Sequence, residues 1–150
     1  MIRPLEPIYQ RSGSMSMAYI PSTRATEERK GRKGGILVSF AKASGPKAYD
    51  AENAIKMSLP LWDAMQILEI REKGFPKGSD GKEQLKFFHQ YNNVTKTLGI
   101  FPGKDDTTGW GMRSGEESIL IYCQPHNMAG IYKYVEKCVD AMMTEEGNNT

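Results

Sequence analysis

Apolar residues follow two spacings along the first half of the chain. Runs at 15–20, 36–41 and 54–58 predict strands, and the charged segment 24–33 predicts an exposed hairpin arm between the first two. The clearest strand is 36–41, because β-branched and aromatic residues stand between glycine-rich turns. The spacing then changes from two to about 3.6 residues, which predicts a helix over 60–73 that ends before Gly74. This helix carries its apolar residues at i, i+3, i+4 and i+7: Leu61, Ala64, Met65 and Leu68.

The second half repeats this order of elements without repeating the residues. Strand-like segments occur at 84–91, 94–100, 109–113 and 118–123, and the glycine-flanked segment 109–113 is predicted as an edge strand. A second helix is predicted over 127–143, capped by Asn127. Its apolar stripe consists of Ile131, Val135, Cys138, Val139 and Met142. Strands followed by a helix, twice over, predict an α+β fold of the order ββββα-ββββα.

A chain of 150 residues with 39% apolar residues is predicted to form one domain. We assign 14–143 to this domain, 1–13 to an N-terminal arm and 144–150 to a flexible acidic tail. The chain lacks a long apolar run and a secretory leader, and it has two cysteines. These features favour a reducing compartment, either the cytoplasm of a bacterial or phage-infected cell or an organellar matrix after processing, over secretion or a membrane.

Charge is distributed unevenly along the chain. Residues 1–48 contain nine Lys/Arg and three acids, whereas residues 115–150 contain two Lys and six acids, and the net charge of the whole chain is +2. A basic front suits a protein that presents one face to phosphates, and a solvated charge run is the alternative. The densest basic run is Arg29, Lys30, Arg32 and Lys33, on a predicted exposed hairpin.

Lys and Arg also stand beside aromatic residues on predicted strands. This combination suits single-stranded nucleic acid, because cations neutralise the backbone and aromatic rings stack on unpaired bases. The candidate nucleic-acid-binding residues, besides the basic run, fall into four clusters: Tyr9, Arg11 and Tyr19 on the first strand and its approach, Lys42 and Tyr49 beside the 42–48 turn, Lys86 and Phe88 on one strand, and Trp110 and Arg113 on a glycine-rich edge.

Strand alternation separates core aromatics from binding candidates. Phe40 shares a face with Ile36 and Val38, which favours the core over a surface role. Phe87 and Phe88 point to opposite faces, so one is expected in the core and the other against a base or a protomer. Trp110 stands between two glycines, where base stacking or an interface competes with the core.

The order of several short motifs resembles the Whirly family of single-stranded nucleic-acid-binding proteins, over roughly residues 8–143. The resemblance is carried by the glycine-led strand at 34–41, the Tyr-Asp at 49–50 and the Met-Ser-Leu at 57–59. The Phe-Phe-His at 87–89 and the Pro125 turn into the last helix also fit. The Lys-Gly-Lys-Ala-Ala-Leu segment of plant members is replaced by residues 10–17, so large assemblies are not implied.

The resemblance implies a fold and an assembly. Two four-stranded antiparallel sheets pack together, and the helices lie at the centre of a homotetramer. Single strands then run along sheet surfaces and between protomers. Residues at the oligomer interface would be Leu61, Met65, Leu68, Ile131, Val135 and Val139, which would serve the intramolecular core as well. From the sequence alone, the core is the safer expectation for these stripes.

The leading interpretation is a non-catalytic single-stranded DNA-binding protein of replication, repair or recombination, without a cofactor. The alternatives are an RNA-binding or ribosome-associated protein of the same fold and a protein-interaction subunit that binds no nucleic acid. An enzyme is disfavoured because no nucleophile motif connects His89 or His126 to a base. A metal site at Cys123, His126 and Cys138 lacks a fourth ligand, so none is predicted.

Overall fold

The computed structural model describes the backbone of residues 2–149 and the side chains of residues 2–144. A 3₁₀ turn at Ala51–Asn53 precedes the fifth strand. The other elements are, in order, β1 (Leu5–Tyr9), β2 (Gly13–Ile20), β3 (Gly35–Gly45), β4 (Ala48–Tyr49), β5 (Ile55–Leu59), α1 (Leu61–Lys73), β6 (Leu85–Tyr91), β7 (Val94–Pro102), β8 (Thr108–Ser114), β9 (Glu117–Cys123) and α2 (Pro125–Asn149). This order confirms the predicted α+β class.

The strands form two antiparallel sheets. Sheet one has the order β1-β2-β3, with β5 on the other side of β3, and the two-residue strand β4 pairs with the far end of β3. Sheet two is a meander of β6, β7, β8 and β9. Sheet one therefore has five strands where four were expected. Its first strand, β1, lies inside the segment 1–13 that was predicted as an arm.

The inner faces of both sheets and both helices share one hydrophobic core. Along β3, Ile36, Val38 and Phe40 are fully buried, and their neighbours in register on β2 and β5 are Tyr19, Met17, Met15, Leu59, Met57 and Ile55. The alternation of β3 gives sheet one an inner apolar face and an outer face of mainly small and polar residues, with Leu37 among them. Phe40 belongs to the core, as its spacing predicted.

Each helix begins next to a proline. Pro60 precedes α1, and Gly74, with φ of +79°, follows its end. Helix α2 begins at Pro125, two residues earlier than predicted, because Asn127 acts from the third helical position: its Oδ1 accepts a hydrogen bond of 2.9 Å from the Gln124 N–H. The backbone of 144–149, predicted as a flexible tail, continues α2, and Thr150 lies outside the described residues.

Cys123 and Cys138 are both fully buried. Burial raises the pKa of the Cys123 thiol to about 12 and that of Cys138 to about 11, from an ordinary value of 9.0. The folded state therefore holds both protons at a pH where the unfolded chain releases them. By linkage, the stability that comes from these thiols is fully present below pH 9 and is lost as the pH rises through the folded pKa values.

We expect the free energy of unfolding to fall between pH 8 and pH 10.5, and part of this fall to disappear in the Cys123→Ala/Cys138→Ala variant. Urea unfolding curves measured across this range check the expectation. A decline of the same size in the variant would assign the alkaline sensitivity to other groups.

Candidate nucleic-acid interface

Two aromatic rings meet on the outer face of sheet one. The ring centroids of Tyr9 and Tyr49 are 5.1 Å apart with an interplanar angle of 39°, and the Tyr49 hydroxyl donates a 3.0 Å hydrogen bond to the Gln10 carbonyl. Tyr9 is 60% exposed. The groove beside the rings is floored by small outward-facing side chains, including Ser16 and Ser39. It therefore has room for a flat ligand next to the tyrosines.

Cations of this region lie on both sides of the sheet. Arg11, in the β1–β2 turn, lines a second depression together with Lys47 and the tyrosine pair. Lys42 lies two residues after Phe40 on β3 and therefore projects from the same face of the strand as Phe40, beyond the end of the core. This face is opposite to the one that carries the tyrosine pair. The structure thus unites Tyr9, Arg11 and Tyr49, and separates Lys42 from them.

Tyr19 and the basic hairpin lie at the other end of sheet one. Six residues of β2, about 20 Å, separate Ser14, beside Tyr9, from Ile20, where the hairpin begins. Tyr19 is half-buried on the core side, and its backbone N–H donates to the Tyr134 hydroxyl at 3.0 Å. The prediction that Tyr19 forms one cluster with Tyr9 is therefore wrong. Most of β2 lies between them, and they project from opposite faces of the sheet, because Tyr19 stands five residues beyond Ser14, the neighbour of Tyr9 in register.

The hairpin between β2 and β3 is closed by a pair of backbone hydrogen bonds. Thr23 and Arg32 exchange both backbone hydrogen bonds, at 2.7 and 2.9 Å, and the Arg32 guanidinium donates to the Pro21 carbonyl at 3.3 Å. The four cations of the predicted basic run are all exposed: Arg29, Lys30, Arg32 and Lys33. The hairpin is therefore a projecting arm whose charges face solvent.

The outer face of sheet two carries an exposed ring and two cations. Phe88 is 64% exposed, and the Lys86 ammonium lies 5.5 Å from the centroid of its ring. The strand register aligns Phe88 with Thr97 and then with Arg113, two strands away. A groove of about 590 Å³ runs between these residues and β9. Three predicted binding residues, on two strands, therefore share one surface.

Glycines form the floor of this groove. Gly99 and Gly111 are neighbours in register on β7 and β8. The Phe101 ring covers Gly109 so closely that a Cβ there would lie 2.3 Å from Phe101 Cε2. The ring of Tyr122 meets that of Phe101 edge-on, with centroids 6.3 Å apart. Phe101 and Tyr122 were not predicted on this surface, although the alternation of β9 places Tyr122 on the face opposite the buried Ile121 and Cys123.

Trp110 is not part of this surface. It is fully buried, and its indole N–H donates to the Met128 sulfur at 3.2 Å. Strand β8 lies between β7 and β9 and is not an edge strand. The prediction of base stacking or an interface for Trp110 is therefore wrong. Its two flanking glycines lie on the outer face, and the ring between them points inward.

The β1–β2 turn connects the two sheets. The Gln10 side-chain amide donates to the Tyr122 carbonyl and accepts a 2.9 Å hydrogen bond from the Tyr122 N–H. Ser12 donates to the Leu120 carbonyl at 2.8 Å. These bonds, which we call the β9 clamp, hold the tyrosine pair of sheet one next to the rim of the sheet-two groove. No sequence signal indicated a contact between residues 112 positions apart.

No model of a known protein family matches the chain, and no curated protein matches its sequence. Solved structures do match its fold. WHY1 from Arabidopsis thaliana superposes with a TM-score of 0.74 at 18% identity, covering 93% of this chain and 90% of that one. WHY3 from Arabidopsis thaliana superposes with a TM-score of 0.72 at 18% sequence identity, covering 95% of this chain and 90% of that one. The plant transcriptional regulator PBF-2 superposes with a TM-score of 0.72 at 17% sequence identity, covering 96% of this chain and 84% of that one.

The chain has the Whirly fold. The likeness extends over nearly the whole chain and includes both sheets and both helices, at a sequence identity that establishes the fold alone. Of the segments that resembled the family in sequence, the glycine-led strand lies on β3 and the Phe-Phe-His lies on β6.

Within this Whirly fold, the two predicted interface stripes differ in burial. Ile131 and Val135 are fully buried and Val139 is 5% exposed, so the α2 stripe belongs to the core of the monomer and its assignment to an interface is wrong. The residues of α1 assigned to an interface are half-buried: Leu61, Met65 and Leu68. The most exposed apolar side chain of α1 is Trp62, at 71%.

Two polar contacts join the helices of this Whirly fold to neighbouring elements. His89 Nε2 and Asp63 Oδ2 are 3.0 Å apart and join β6 to α1, while Arg71 joins α1 to α2 through Glu136 at 3.0 Å. Within residues 2–144, no three His, Cys, Asp or Glu side chains are grouped to hold a metal ion. None of the described helices is long and apolar enough to span a membrane.

Proposed function

We propose that this chain is a non-catalytic, sequence-tolerant protein that binds single-stranded DNA in replication, repair or recombination. The observation that carries the proposal is the outer face of sheet two, where exposed Phe88 lies next to Lys86, and Arg113 lies in register with Phe88 two strands away, beside a glycine floor. A ring offers a stacking surface for any base, and the two cations can neutralise phosphates of the same strand.

Two further features support the proposal. The pair of Tyr9 and Tyr49, with Arg11 beside it, offers the same combination of ring and cation on sheet one. The β9 clamp holds this pair close to the groove of sheet two, so one extended strand can contact both. The Whirly fold agrees with this proposal, since the resemblance in sequence to that family implied binding along sheet surfaces.

The proposal is tested by fluorescence anisotropy with a labelled single strand of about 30 bases, beside the same sequence as duplex and as RNA. We expect tight binding to the single strand, a linear fall of log K with log salt, and much weaker binding to the duplex. RNA bound more tightly than DNA would instead support the RNA-binding alternative. No binding to any of the three at low salt would contradict both and leave a protein-interaction subunit.

Phe88→Ala is expected to weaken single-strand binding about fivefold to a hundredfold, the usual loss for one stacked base. The matched control is Tyr91→Ala. Tyr91 is an aromatic residue of the same strand and is 74% exposed, but it stands an odd number of residues from Phe88 and so belongs to the opposite face. Anisotropy titrations of both variants at one salt concentration make the comparison. Equal losses for the two would show that the groove face is not the binding face.

We also propose that the chain assembles as a homotetramer through α1. A tryptophan that is 71% exposed beside half-buried Leu61, Met65 and Leu68 is typical of an interface anchor. Trp62→Ala is expected to shift the chain from tetramers to dimers or monomers, which lowers the molar mass measured by light scattering on a sizing column. Phe88→Ala is expected to leave this molar mass unchanged. A monomeric wild-type chain at micromolar concentration would contradict this assembly.

A further inference from the structure

Three polar side chains line up across the groove of sheet one. The strand register places Ser16 of β2 beside Ser39 of β3, and Ser39 beside Lys56 of β5. All three residues line one cavity of about 420 Å³, together with Tyr9 and Tyr49. Neighbouring strands are about 4.8 Å apart, so the three residues, which we call the Ser-Ser-Lys row, span about 10 Å across the sheet.

The polar groups of this row are available to a ligand. Within the part of the chain that the structure describes, the Ser16 and Ser39 hydroxyls have no hydrogen-bond partner, and the Lys56 ammonium pairs with no carboxylate. Lys56 is exposed, and the two serines are half-buried without being sealed from solvent. The Lys96 ammonium donates to the Lys56 carbonyl at 3.0 Å, which places a second cation at the same edge of the sheet. The row therefore offers two hydroxyls and an ammonium to one ligand.

Two hydroxyls followed by an ammonium suit a phosphodiester. Serine and lysine are among the side chains that bind phosphate oxygens in nucleic-acid complexes, and the contact of lysine with phosphate is a charge-assisted hydrogen bond. The floor of the groove is low at this point, because its other residues include small alanines. A phosphate can therefore approach the sheet closely enough to meet the hydroxyls.

We propose that the Ser-Ser-Lys row binds phosphates of a single strand whose base lies against Tyr9 and Tyr49. This inference rests on the proposed single-strand binding and adds residues that were not predicted to bind. Tyr9 is the neighbour of Ser14 in register, and Ser14 stands two residues before Ser16, so the ring and the row are about 7 Å apart along the strand direction. One nucleotide can span this distance between its base and its phosphate. Because the row runs across three β-strands, the bound nucleic acid crosses the strands of sheet one.

The first test removes the cation of the row. Lys56→Gln is expected to weaken binding of an all-thymine oligomer of about 30 bases roughly fivefold near 0.1 M salt, and to make the slope of log K against log salt shallower by about 0.7, the share of one phosphate contact. Lys42→Gln is the matched control, since Lys42 is an exposed lysine of the same sheet on the opposite face. Anisotropy titrations at several salt concentrations measure both variants. Equal changes of slope in the two overturn the inference.

The second test places a charge between the hydroxyl and the phosphate. Ser39→Asp and Ser39→Asn introduce side chains of the same size, of which only the first is negatively charged. We expect Ser39→Asp to bind the oligomer about fivefold or more weakly than Ser39→Asn, because a carboxylate repels a phosphate in contact with it. Urea unfolding checks that both variants are folded. Equal affinities of the two overturn the phosphate row while single-strand binding stands, whereas a wild-type chain that does not bind the oligomer overturns the proposed function instead.

Discussion

Replacing Arg29, Lys30, Arg32 and Lys33 together with serine is expected to weaken single-strand binding about 10²–10³-fold near 0.1 M salt. All four side chains are exposed on the hairpin between β2 and β3. Each phosphate contact on a single strand contributes about 0.7 to the slope of log K against log salt, so the slope should decrease by about 2.8 if all four cations contact phosphates. Anisotropy titrations at several salt concentrations measure both quantities.

The control for this variant removes the same amount of charge elsewhere. Lys73, Lys77, Lys82 and Lys137 are also exposed, and they lie on α1, on the loop after it and on α2, none of them on a strand of either sheet. Their replacement with serine should change the salt slope little. Equal effects of the two quadruple variants would mean that net charge acts at long range and that the hairpin makes no phosphate contacts.

Trp110→Ala is expected to lower the free energy of unfolding by about 3–5 kcal/mol, which is the cost of removing a large aromatic side chain from a packed core. Trp110 is fully buried between β7 and β9, and its removal also leaves the Met128 sulfur without its hydrogen-bond donor. Urea or thermal unfolding of the purified variant measures the loss.

Phe88→Ala serves as the opposite case, since Phe88 is 64% exposed and its removal should change stability by less than about 0.5 kcal/mol. The two variants separate folding from binding: one lowers stability, and the other lowers affinity with the fold intact. A Trp110→Ala chain as stable as the wild type would contradict the packing described for this sheet.

Local pattern was sufficient to predict most of the secondary structure. Strand β3 was predicted from a β-branched run between glycines, and α1 from the 3.6-residue spacing that begins at Leu61 and ends before Gly74. Phe88 was assigned to a face opposite Phe87, and the structure exposes the first and buries the second. These predictions succeed because alternation and helical period are properties of the chain itself.

The errors concern which strands become neighbours. Trp110 was considered for the surface because glycines flank it, but the pairing of β8 with both β7 and β9 places it in the core. Tyr19 and Tyr9 were grouped by proximity in sequence, although the β1–β2 hairpin separates them along the sheet. The contact of Gln10 with Tyr122 depends on how the two sheets pack, which no window of sequence contains.

The clamp of Gln10 and Ser12 on β9 also has a consequence for solubility. Strand β9 is at the end of sheet two, where unpaired backbone groups would invite a strand from another molecule to pair with them. Gln10 occupies both the N–H and the carbonyl of Tyr122, and Ser12 occupies the carbonyl of Leu120. Molecules crowded side by side along one nucleic-acid strand would then meet at a capped edge, which protects them from joining sheet to sheet into aggregates.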